Sequence, residues 1–287
     1  MTIFSQIKNT DFMNKKVTIL VACHKPATVF ENDVYTPIHV GRTVSKCKDE
    51  MANMIGDDTG DNISVKNPYY CELTAQYWAW KNLDCEYVGL CHYRRYFETE
   101  ITVDNIDRIL GAHADVLLAK PLVEREYMGN RLCYSTCRED VEIFMRCLQK
   151  VSPEMWKTCL KFLNGNVIYP FNMFVMRKTD FDNFAAWQFS VLEEMEKYVK
   201  LSGYTRMRRL YGYMAEMMLP MWCIYNNKKI ISNKITPMIG QPPFEYDSKL
   251  RNLYSTLLFK RLHNTIDIVK DGDAVMVGFK NDGIFFN

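Results

Sequence analysis

The stretch YVGLCHYRRYF, residues 87–97, decides the predicted fold. Its first five residues form a short apolar run that predicts a buried strand, and an imidazole, two guanidinium groups and three aromatic rings follow. Polar groups at the carboxyl end of a parallel strand open into the crevice where α/β sheets bind ligands. A turn here would let Arg94 and Arg95 converge on phosphate oxygens, which predicts an anion site. A surface ion-pair cluster above packed aromatic rings explains the same residues equally well.

The composition of the 287-residue chain bounds its class. Hydrophobic residues make up 48% of the chain and aromatic residues 13%, which is enough for one large α/β domain or for one domain with a helical annex. The formal net charge is only +2 at pH 7, so the chain lacks the basic field that drives nonspecific nucleic-acid binding. We therefore expect no nucleic-acid partner, and any anion site must be local.

Cysteine usage and hydropathy predict a soluble protein of the cytoplasm. None of the ten cysteines forms a CxxC pair, and no Cys/His spacing indicates zinc. Residues 1–16 form a polar leader without the apolar core of a signal peptide, and no later run approaches the roughly 18 apolar residues of a membrane span. We interpret the cysteines as reduced and mostly as small core residues.

Two polar loops in the first quarter of the chain are candidate ligand contacts. The apolar run KVTILVA, residues 16–22, predicts a buried parallel strand that ends in a loop at His24 and Lys25. His24 on its own is better explained as a structural histidine. Residues 56–62 are acidic and turn-rich and predict a solvated or substrate-facing loop, because they lack the closing glutamate of a calcium-binding EF-hand.

A helix is predicted from about residue 69 to residue 82. Asn67 would cap it, and Pro68 suits the first helical position. Glu72 and Gln76 lie one turn apart, where they would either reach a ligand or face the solvent. The predicted core-facing stripe consists of Tyr69, Leu73, Tyr77 and Trp80.

The sequence after the central strand predicts further helices and strands. A helix from Asp104 to about His113 and a strand at residues 115–119 complete a βαβ unit with the central strand. Further predictions are two helices between residues 138 and 163, a strand at residues 172–176 and helices at residues 179–201 and 206–222. A basic amphipathic helix at residues 248–263 is expected to pack on the domain, although an anionic membrane surface would also attract it.

One carboxylate has unusually apolar surroundings. Glu216 lies within YMAEMML, residues 213–219, of a predicted helix. A carboxylate in such a helix is either paired or has a raised pKa, and a raised pKa suits a general base. A buried ion pair with Arg208 or Arg209 explains Glu216 equally well.

Several separated blocks, in the same order, resemble one bacterial family. The blocks are VACHK (21–25), GDNIS (60–64), KNPYYCELT (66–74), YWAWKN (77–82), GLCHYRRY (89–96) and, less closely, NMFVM (172–176) and residues 213–219. The family is a domain of unknown function from capsular, exopolysaccharide and O-antigen loci, and it includes β-galactofuranosyltransferases. The resemblance covers about residues 17–225.

The resemblance implies a GT-A-like α/β fold, a Rossmann-type mixed sheet flanked by helices with a helical C-terminal part. It implies inverting transfer of a sugar, with galactofuranose as the leading option, from a UDP-sugar to a growing surface polysaccharide. The implied glycosyltransferase domain is residues 17–245, and a helical extension at residues 246–287 packs on it. The acceptor would be a glycan or lipid-linked oligosaccharide, met in the cytoplasm or at the inner face of the cell membrane.

The resemblance also implies a site without a metal. A typical GT-A enzyme holds a divalent metal on an Asp-x-Asp motif after the central strand, whereas this chain has HYRR, residues 92–95. These cationic side chains would neutralise the leaving diphosphate, so no metal and no other cofactor is expected. The implied donor-binding residues are His24, Lys25, Asp61, Asn62, Lys66, Asn67, His92, Tyr93, Arg94 and Arg95. Asn172 is the implied acceptor contact. Glu216 is the implied catalytic base, with Asp61 and Glu72 as rivals.

Two other functions fit parts of the sequence. A nucleotide-sugar-binding or glycan-binding protein without turnover, working in a polysaccharide assembly complex, would use the same arginines and aromatic rings. A nucleotidyltransferase would need two metal-binding carboxylates in the crevice, and no clear pair follows the central strand.

Overall fold

The computed structural model describes residues 15–201, 208–237 and 249–263. Its strands are β1 (Lys15–Cys23), β2 (Tyr35–His39), β3 (Ile55–Gly56), β4 (Cys85–His92), β5 (Arg95–Phe97), β6 (Val116–Ala119), β7 (Leu122–Val123), β8 (Val167–Ile168), β9 (Phe174–Arg177), β10 (Ile230–Asn233) and β11 (Ile235–Pro237). Its helices are α1 (Asn67–Tyr70), α2 (Leu73–Asn82), α3 (Ile106–Ile109), α4 (Met128–Ser135), α5 (Arg138–Val151), α6 (Trp156–Leu163), α7 (Lys178–Glu196), α8 (Leu210–Tyr225) and α9 (Lys249–His263).

The chain divides into two compact units. Of the described residues, the first contains 15–120, 170–186 and 228–237, and the second contains 121–169, 187–201, 208–227 and 249–263. Most of the predicted polar leader and most of the predicted C-terminal extension lie outside the described residues, so the domain boundaries at residues 17 and 245 stay predictions. Lys15 and Lys16, which we assigned to the leader, already belong to β1.

The first unit is built on a mixed sheet with the strand order β10-β6-β9-β4-β1-β2-β3. β1 lies parallel to both β2 and β4, β2 is parallel to β3, and β6 is parallel to β10. β9 runs antiparallel between β4 and β6. β5 turns back antiparallel onto β4 and pairs in turn with β11. This largely parallel sheet confirms the predicted α/β class.

The centre of the sheet shows why the sequence forms it. β1 is buried along residues 17–23, as expected of a parallel strand that is covered on both faces and reads as one apolar run. Gly89 of β4 allows β9 to approach closely, because a Cβ at this position would lie 2.9 Å from the backbone oxygen of Phe174. The rings of Phe174 and Phe181 then stack with their centroids 5.3 Å apart, and β9 is fixed against α7.

The structure corrects the predicted βαβ unit. β4 and β6 point the same way, but β9 lies between them, so they are not neighbours. The predicted helix from Asp104 to His113 shortens to the single turn of α3. Thr102 and Asn105 form reciprocal hydrogen bonds from backbone to side chain, 2.9 and 3.2 Å long, just before α3, and Asn105 takes the N-cap position that was predicted for Asp104.

The predicted helix at residues 69–82 is broken in two. Cys71 has φ 53° and ψ −130°, which ends α1 before α2 begins at Leu73. Asn67 is a helical residue, not a side-chain cap, and Lys66 takes the capping position. The core-facing stripe is also wrong for Tyr69, Tyr77 and Trp80, which stay partly exposed. Residues buried on α2 include Leu73, Thr74, Ala75, Gln76, Trp78 and Ala79.

The second unit is mainly helical. α4, α5, α6 and α8 pack on one another, and β7 and β8 form a separate antiparallel pair. The indole of Trp187 donates a 2.7 Å hydrogen bond to the hydroxyl of Ser152, which ties the end of α5 to α7. Glu194 accepts hydrogen bonds from Lys197, Lys150 and Tyr198, and these bonds hold its pKa at about 2. α4 was not predicted, α7 ends five residues early, and the predicted start of α8 at residue 206 lies outside the described residues.

Candidate functional site

The carboxyl ends of β1 and β4 bring two predicted site residues together. The two strands are parallel and in register, with Ala22 opposite His92. The chain therefore leaves both strands at the same edge of the sheet. The ring of His24, just after β1, meets the ring of Tyr93, just after β4, edge to face at 5.4 Å. His24 and the neighbouring Lys25 are both exposed at this edge.

The turn between β4 and β5, residues 92–95, is named here the arginine turn. His92 pairs with Arg95 across it, and Tyr93 and Arg94 form its tip. The guanidinium of Arg94 lies 5.0 Å from the centroid of the Tyr93 ring. That of Arg95 lies 4.2 Å from the centroid of the Phe171 ring. The buried Nε of Arg94 has no hydrogen-bond partner in the described part of the chain, so this donor is suited to an anionic oxygen.

Burial affects the ionisation of the turn. Desolvation raises the pKa of Tyr93 above its ordinary value, and the Arg94 guanidinium offsets part of that rise. The phenol therefore stays protonated at neutral pH and is a hydrogen-bond donor beside two cations. Hydrogen-bond donors and positive charges of this kind suit an anionic ligand.

A strained segment just before β9 supports the arginine turn. Phe171 and Asn172 both have left-handed backbone angles, with φ of 77° and 52°. Each such residue costs about 1–3 kcal/mol and persists only where its surroundings fix it. The backbone oxygen of Phe171 lies 2.7 Å from Nε2 of His92, and this nitrogen donates because a carbonyl only accepts. The Phe171 ring, in turn, packs against the guanidinium of Arg95.

A buried carboxylate holds the strained segment in place. The amide of Asn172 donates a 2.7 Å hydrogen bond to the Glu72 carboxylate, 100 residues away along the chain. Both side chains are buried. We call them the Glu72–Asn172 pair. Through Asn172 and Phe171, this pair connects the start of α2 to the arginine turn. Glu72 is therefore not the surface residue that was one of its two interpretations.

Asn67 holds the chain on both sides of the break between α1 and α2. Its amide donates to the backbone oxygen of Cys71 at 2.7 Å and to the hydroxyl of Thr74 at 3.2 Å, so it bridges the break between α1 and α2. The ammonium of Lys66 lies 5.6 Å from the centroid of the Tyr70 ring. Asn67 thus fixes the backbone just before Glu72, and the Glu72 carboxylate binds Asn172.

The loops after β2 and β3 are held by a buried aspartate. Asp57 is fully buried and accepts hydrogen bonds from the backbone of Gly41 and Arg42, at 2.7 and 3.1 Å, and from the hydroxyl of Ser64 at 2.5 Å. The acidic loop at residues 56–62 is therefore anchored at its start, and the prediction of a solvated or substrate-facing loop was wrong for Asp57.

Asp61 lies apart from the arginine turn. It is exposed, its carboxylate accepts from Tyr77 at 3.2 Å, and its backbone N–H donates to Asn82 at 3.2 Å. Asn82 is the last residue of α2 and Glu72 immediately precedes its first, so the two ends are about 15 Å apart along the helix. Asn62 lies beside Asp61, where its amide donates to the backbone oxygen of Gly60 at 2.9 Å.

The predicted base lies in the second unit. Glu216 is half-buried on α8 among the buried Ala215 and Met217. Arg209 precedes α8 with φ 70°, and its guanidinium lies 5.2 Å from the centroid of the Tyr213 ring. The predicted role of Glu216 stays a prediction, as do the predicted contacts of the donor and of the acceptor.

Sequence reasoning missed one histidine at the same sheet edge. His39 ends β2 and is fully buried, and neither ring nitrogen has a hydrogen-bond partner in the described part of the chain. Burial lowers its pKa below 6.5, and Arg42 adds to this effect against the opposing Asp57. Its position at the end of an extended segment was the available signal.

The described residues offer neither a metal-binding cluster nor a membrane-spanning helix. They contain no group of three or more His, Cys, Asp or Glu side chains placed to hold a metal ion. No helix among them is long and apolar enough to cross a membrane.

Comparisons with known proteins agree with the fold. A family described as a domain of unknown function, DUF4422, matches residues 18–228. No curated protein matches the chain. The chain is similar to the apo structure of the WbbM bifunctional glycosyltransferase, with 27% identity and a TM-score of 0.69. The match covers 80% of this chain and 48% of the WbbM chain, so this chain spans about half the length of that protein.

Proposed function

The chain belongs to the DUF4422 family, and we propose that it is a glycosyltransferase that moves a sugar from a nucleotide diphosphate to an acceptor glycan. The observation that carries the proposal is the similarity to the WbbM bifunctional glycosyltransferase over 80% of the chain. The cationic edge of the sheet supports it, since this is where an α/β protein binds its ligand.

The arginine turn binds the diphosphate in this proposal. Arg94 and Arg95 offer planar, permanently charged donors that match phosphate oxygens. Their charge stabilises the negative charge that develops on the leaving diphosphate, so the transfer proceeds without a metal ion. His24, Lys25, Lys66 and Asn67 complete the donor site from neighbouring loops at the same edge.

The finer assignments rest on the sequence resemblance. We propose a UDP-sugar donor, galactofuranose as the leading sugar, inversion at the anomeric carbon and a growing surface polysaccharide as acceptor. Glu216 is the proposed base that deprotonates the acceptor hydroxyl. The Glu72–Asn172 pair has a different role: it positions His92 and Arg95 through the backbone and ring of Phe171.

A titration of the purified protein with UDP tests the diphosphate site. We expect saturable binding that EDTA leaves unchanged and that Arg94→Ala/Arg95→Ala weakens at least about a hundredfold, because two charge-assisted contacts are lost. Arg108→Ala is the matched control. Arg108 is an exposed arginine on α3, and its neighbour Asp107 binds Lys16 at the opposite edge of the sheet. Binding that requires manganese or magnesium contradicts the metal-free site.

Turnover separates the enzyme from its alternative, a binding protein without catalysis. Glu216→Gln is expected to lower transfer from a UDP-sugar by about 10²–10⁴-fold while UDP affinity stays unchanged, because a general base acts only on the reaction. UDP binding without transfer of any sugar by the unmodified protein would favour the binding protein. If Glu216→Gln kept full activity and Glu72→Gln bound UDP without transferring a sugar, Glu72 would be the base and Glu216 would not.

A further inference from the structure

Helix α9 keeps a row of apolar side chains on the surface. The exposed fraction is 79% for Leu250, 58% for Leu253, 53% for Tyr254 and 57% for Leu257. The spacing i, i+3, i+4, i+7 places them on one stripe along the helix. We call them the α9 stripe. Soluble proteins rarely leave a contiguous apolar surface of this kind without a partner.

The opposite side of α9 is fixed to the second unit. Ser255 is buried, and the ring of Phe259 meets the ring of Tyr127 edge to face at 5.3 Å. The guanidinium of Arg125, just after β7, lies 5.1 Å from the centroid of the Tyr254 ring at the border of the stripe. These contacts set the rotation of the helix, so the α9 stripe faces outward from its unit.

Cationic side chains border the α9 stripe. The segment KLRNLYSTLLFKRLH, residues 249–263, contains four lysines and arginines and no acidic residue. At 100° per residue, Lys249 and Lys260 lie on one flank of the stripe and Arg251 on the other, with Arg261 along its centre. All four are exposed. Long basic side chains lay their stems along apolar surface and keep their charge at a polar boundary.

Acidic groups on the adjoining segment have partners of their own. Glu124 forms an ion pair with Arg131 at 3.5 Å, and Glu126 accepts a short hydrogen bond from Tyr134. Their charges therefore compete less with the cations of α9 for an external anion. An apolar stripe between two cationic flanks matches a layer that is apolar inside and anionic at its surface.

We propose that α9 binds the surface of an anionic phospholipid membrane and lies in its plane, with the α9 stripe inserted below the headgroups and the flanking cations on lipid phosphates. Membrane binding of this kind goes beyond the transfer reaction, and it does not depend on which sugar is moved. It would keep the second unit at a lipid surface.

Vesicle flotation of the full chain tests the proposal. We expect binding to vesicles of phosphatidylcholine mixed with phosphatidylglycerol, little binding to phosphatidylcholine alone, and a loss of binding as salt rises. Leu250→Ser/Leu257→Ser is expected to lower the partition constant by about tenfold or more, since two leucines no longer leave water. Val103→Ser, at another exposed apolar residue in the first unit, is the control that should change nothing.

A second pair of variants tests the charges independently of the apolar stripe. Lys260→Gln/Arg261→Gln should lower binding to anionic vesicles by about thirtyfold, because each of the two cations near such a surface contributes about 1 kcal/mol. Lys157→Gln/Lys161→Gln removes two exposed lysines from α6 of the same unit and should not. Gel filtration and circular dichroism confirm that each variant is folded.

Three results would overturn the proposal. These are equal binding to neutral and anionic vesicles, unchanged binding of both α9 variants, and no vesicle binding at all. If the protein instead forms a dimer that Leu250→Ser/Leu257→Ser dissociates, the α9 stripe is an interface between two copies of the chain. UDP binding measured on the same samples shows whether the donor site is intact, so a failure here is separate from a failure of the proposed transfer.

Discussion

The sheet of the first unit has polar groups at both ends of its parallel strands β1 and β4, here called the amino edge and the carboxyl edge. The two edges differ in how these groups are paired and buried. At the amino edge, solvent-accessible charges form two ion pairs, Lys16 with Asp107 at 2.6 Å and Arg177 with Glu86 at 3.0 Å. At the carboxyl edge, the Glu72–Asn172 pair is buried, and the arginines lie on aromatic rings. The described non-glycine residues of this unit with positive φ, namely Cys71, Phe171 and Asn172, belong to the carboxyl edge.

The two arrangements differ in what they cost in free energy. Exposed ion pairs contribute little to stability and require no strain, so the amino edge needs no explanation beyond solubility. Strained backbone and buried polar groups cost free energy, and a folded protein keeps them where the surroundings or a ligand use them. The contrast therefore supports the proposal of a donor site at the carboxyl edge, and variants at the amino edge are the matched controls.

Among the variants that test this contrast, the largest effect is expected from the buried pair. Glu72→Ala removes the 2.7 Å hydrogen bond that the buried Asn172 amide donates to the carboxylate, which should lower the free energy of unfolding by about 1–3 kcal/mol. UDP affinity should fall about tenfold as well, because the segment that positions His92 and Arg95 loosens. Chemical denaturation and a UDP titration measure the two effects. Glu72→Gln keeps an acceptor oxygen and should recover most of both.

Asp107→Ala is the matched change at the amino edge. The hydrogen bonds from Lys16 and Tyr87 hold the pKa of Asp107 below its ordinary value, but the group is exposed. We expect the unfolding midpoint and UDP affinity to stay nearly unchanged at neutral pH. An amino-edge variant that weakens UDP binding as much as Glu72→Ala would break the contrast between the edges.

A change at Gly41, which follows β2, is expected to have a smaller effect than Glu72→Ala. Its φ is 68°, and a Cβ at this position would lie 2.5 Å from the side chain of Asn67. Gly41→Ala should therefore cost about 1–2 kcal/mol of stability from the left-handed backbone alone and should weaken UDP binding by displacing Asn67. Thermal unfolding and the same titration check both parts.

Gly60→Ala provides a comparison at similar backbone strain. Gly60 has φ 57°, and its added Cβ would collide with Asn82 at the far end of α2. We expect a loss of stability without a loss of UDP affinity. A matching loss of affinity would show that Asp61 acts in the donor site and would restore that part of the sequence prediction.

The smallest expected effect is a pH dependence at His39. Burial lowers the pKa of His39 in the folded protein, whereas the unfolded chain takes up a proton near pH 6.5. The unfolded state then binds more protons, so stability is complete above about pH 6.5 and falls as the pH drops towards the folded pKa. Unfolding midpoints from pH 7.5 to 5.5 should fall further in the unmodified protein than in His39→Leu. Parallel curves would exclude His39 as the source.

Local sequence patterns predicted which segments form strands better than they predicted which strands lie side by side in the sheet. The run at residues 16–22 is apolar and β-branched, and it forms β1 as expected. The position of β9 was not predictable, because pairing with both β4 and β6 joins segments distant in sequence and leaves no periodic signal. The break at Cys71 was hidden for another reason: cysteine rarely adopts a positive φ, and the hydrogen bond from the Asn67 amide to its backbone oxygen leaves no signal in the sequence.

The candidate site was predictable where it follows a strand and not where it depends on long-range contacts. The arginine turn could be placed because it ends a clear apolar run. Asn172 was identified as the lone polar residue of its segment, but its partner Glu72 lies 100 residues earlier. No spacing rule links such a pair, and only the fold shows that Glu72 supports the arginine turn.

The insertion of β9 also determines the order in which the sheet can assemble. During synthesis, β1, β2 and β4 can pair once residue 92 has left the ribosome, since all three come from the first third of the chain. β6 must wait for β9 at residues 174–177 and for β10 at residues 230–233. For more than fifty residues of elongation, its apolar edge has neither of its final neighbours. We expect this interval to be the point of greatest risk of aggregation and of greatest dependence on chaperones.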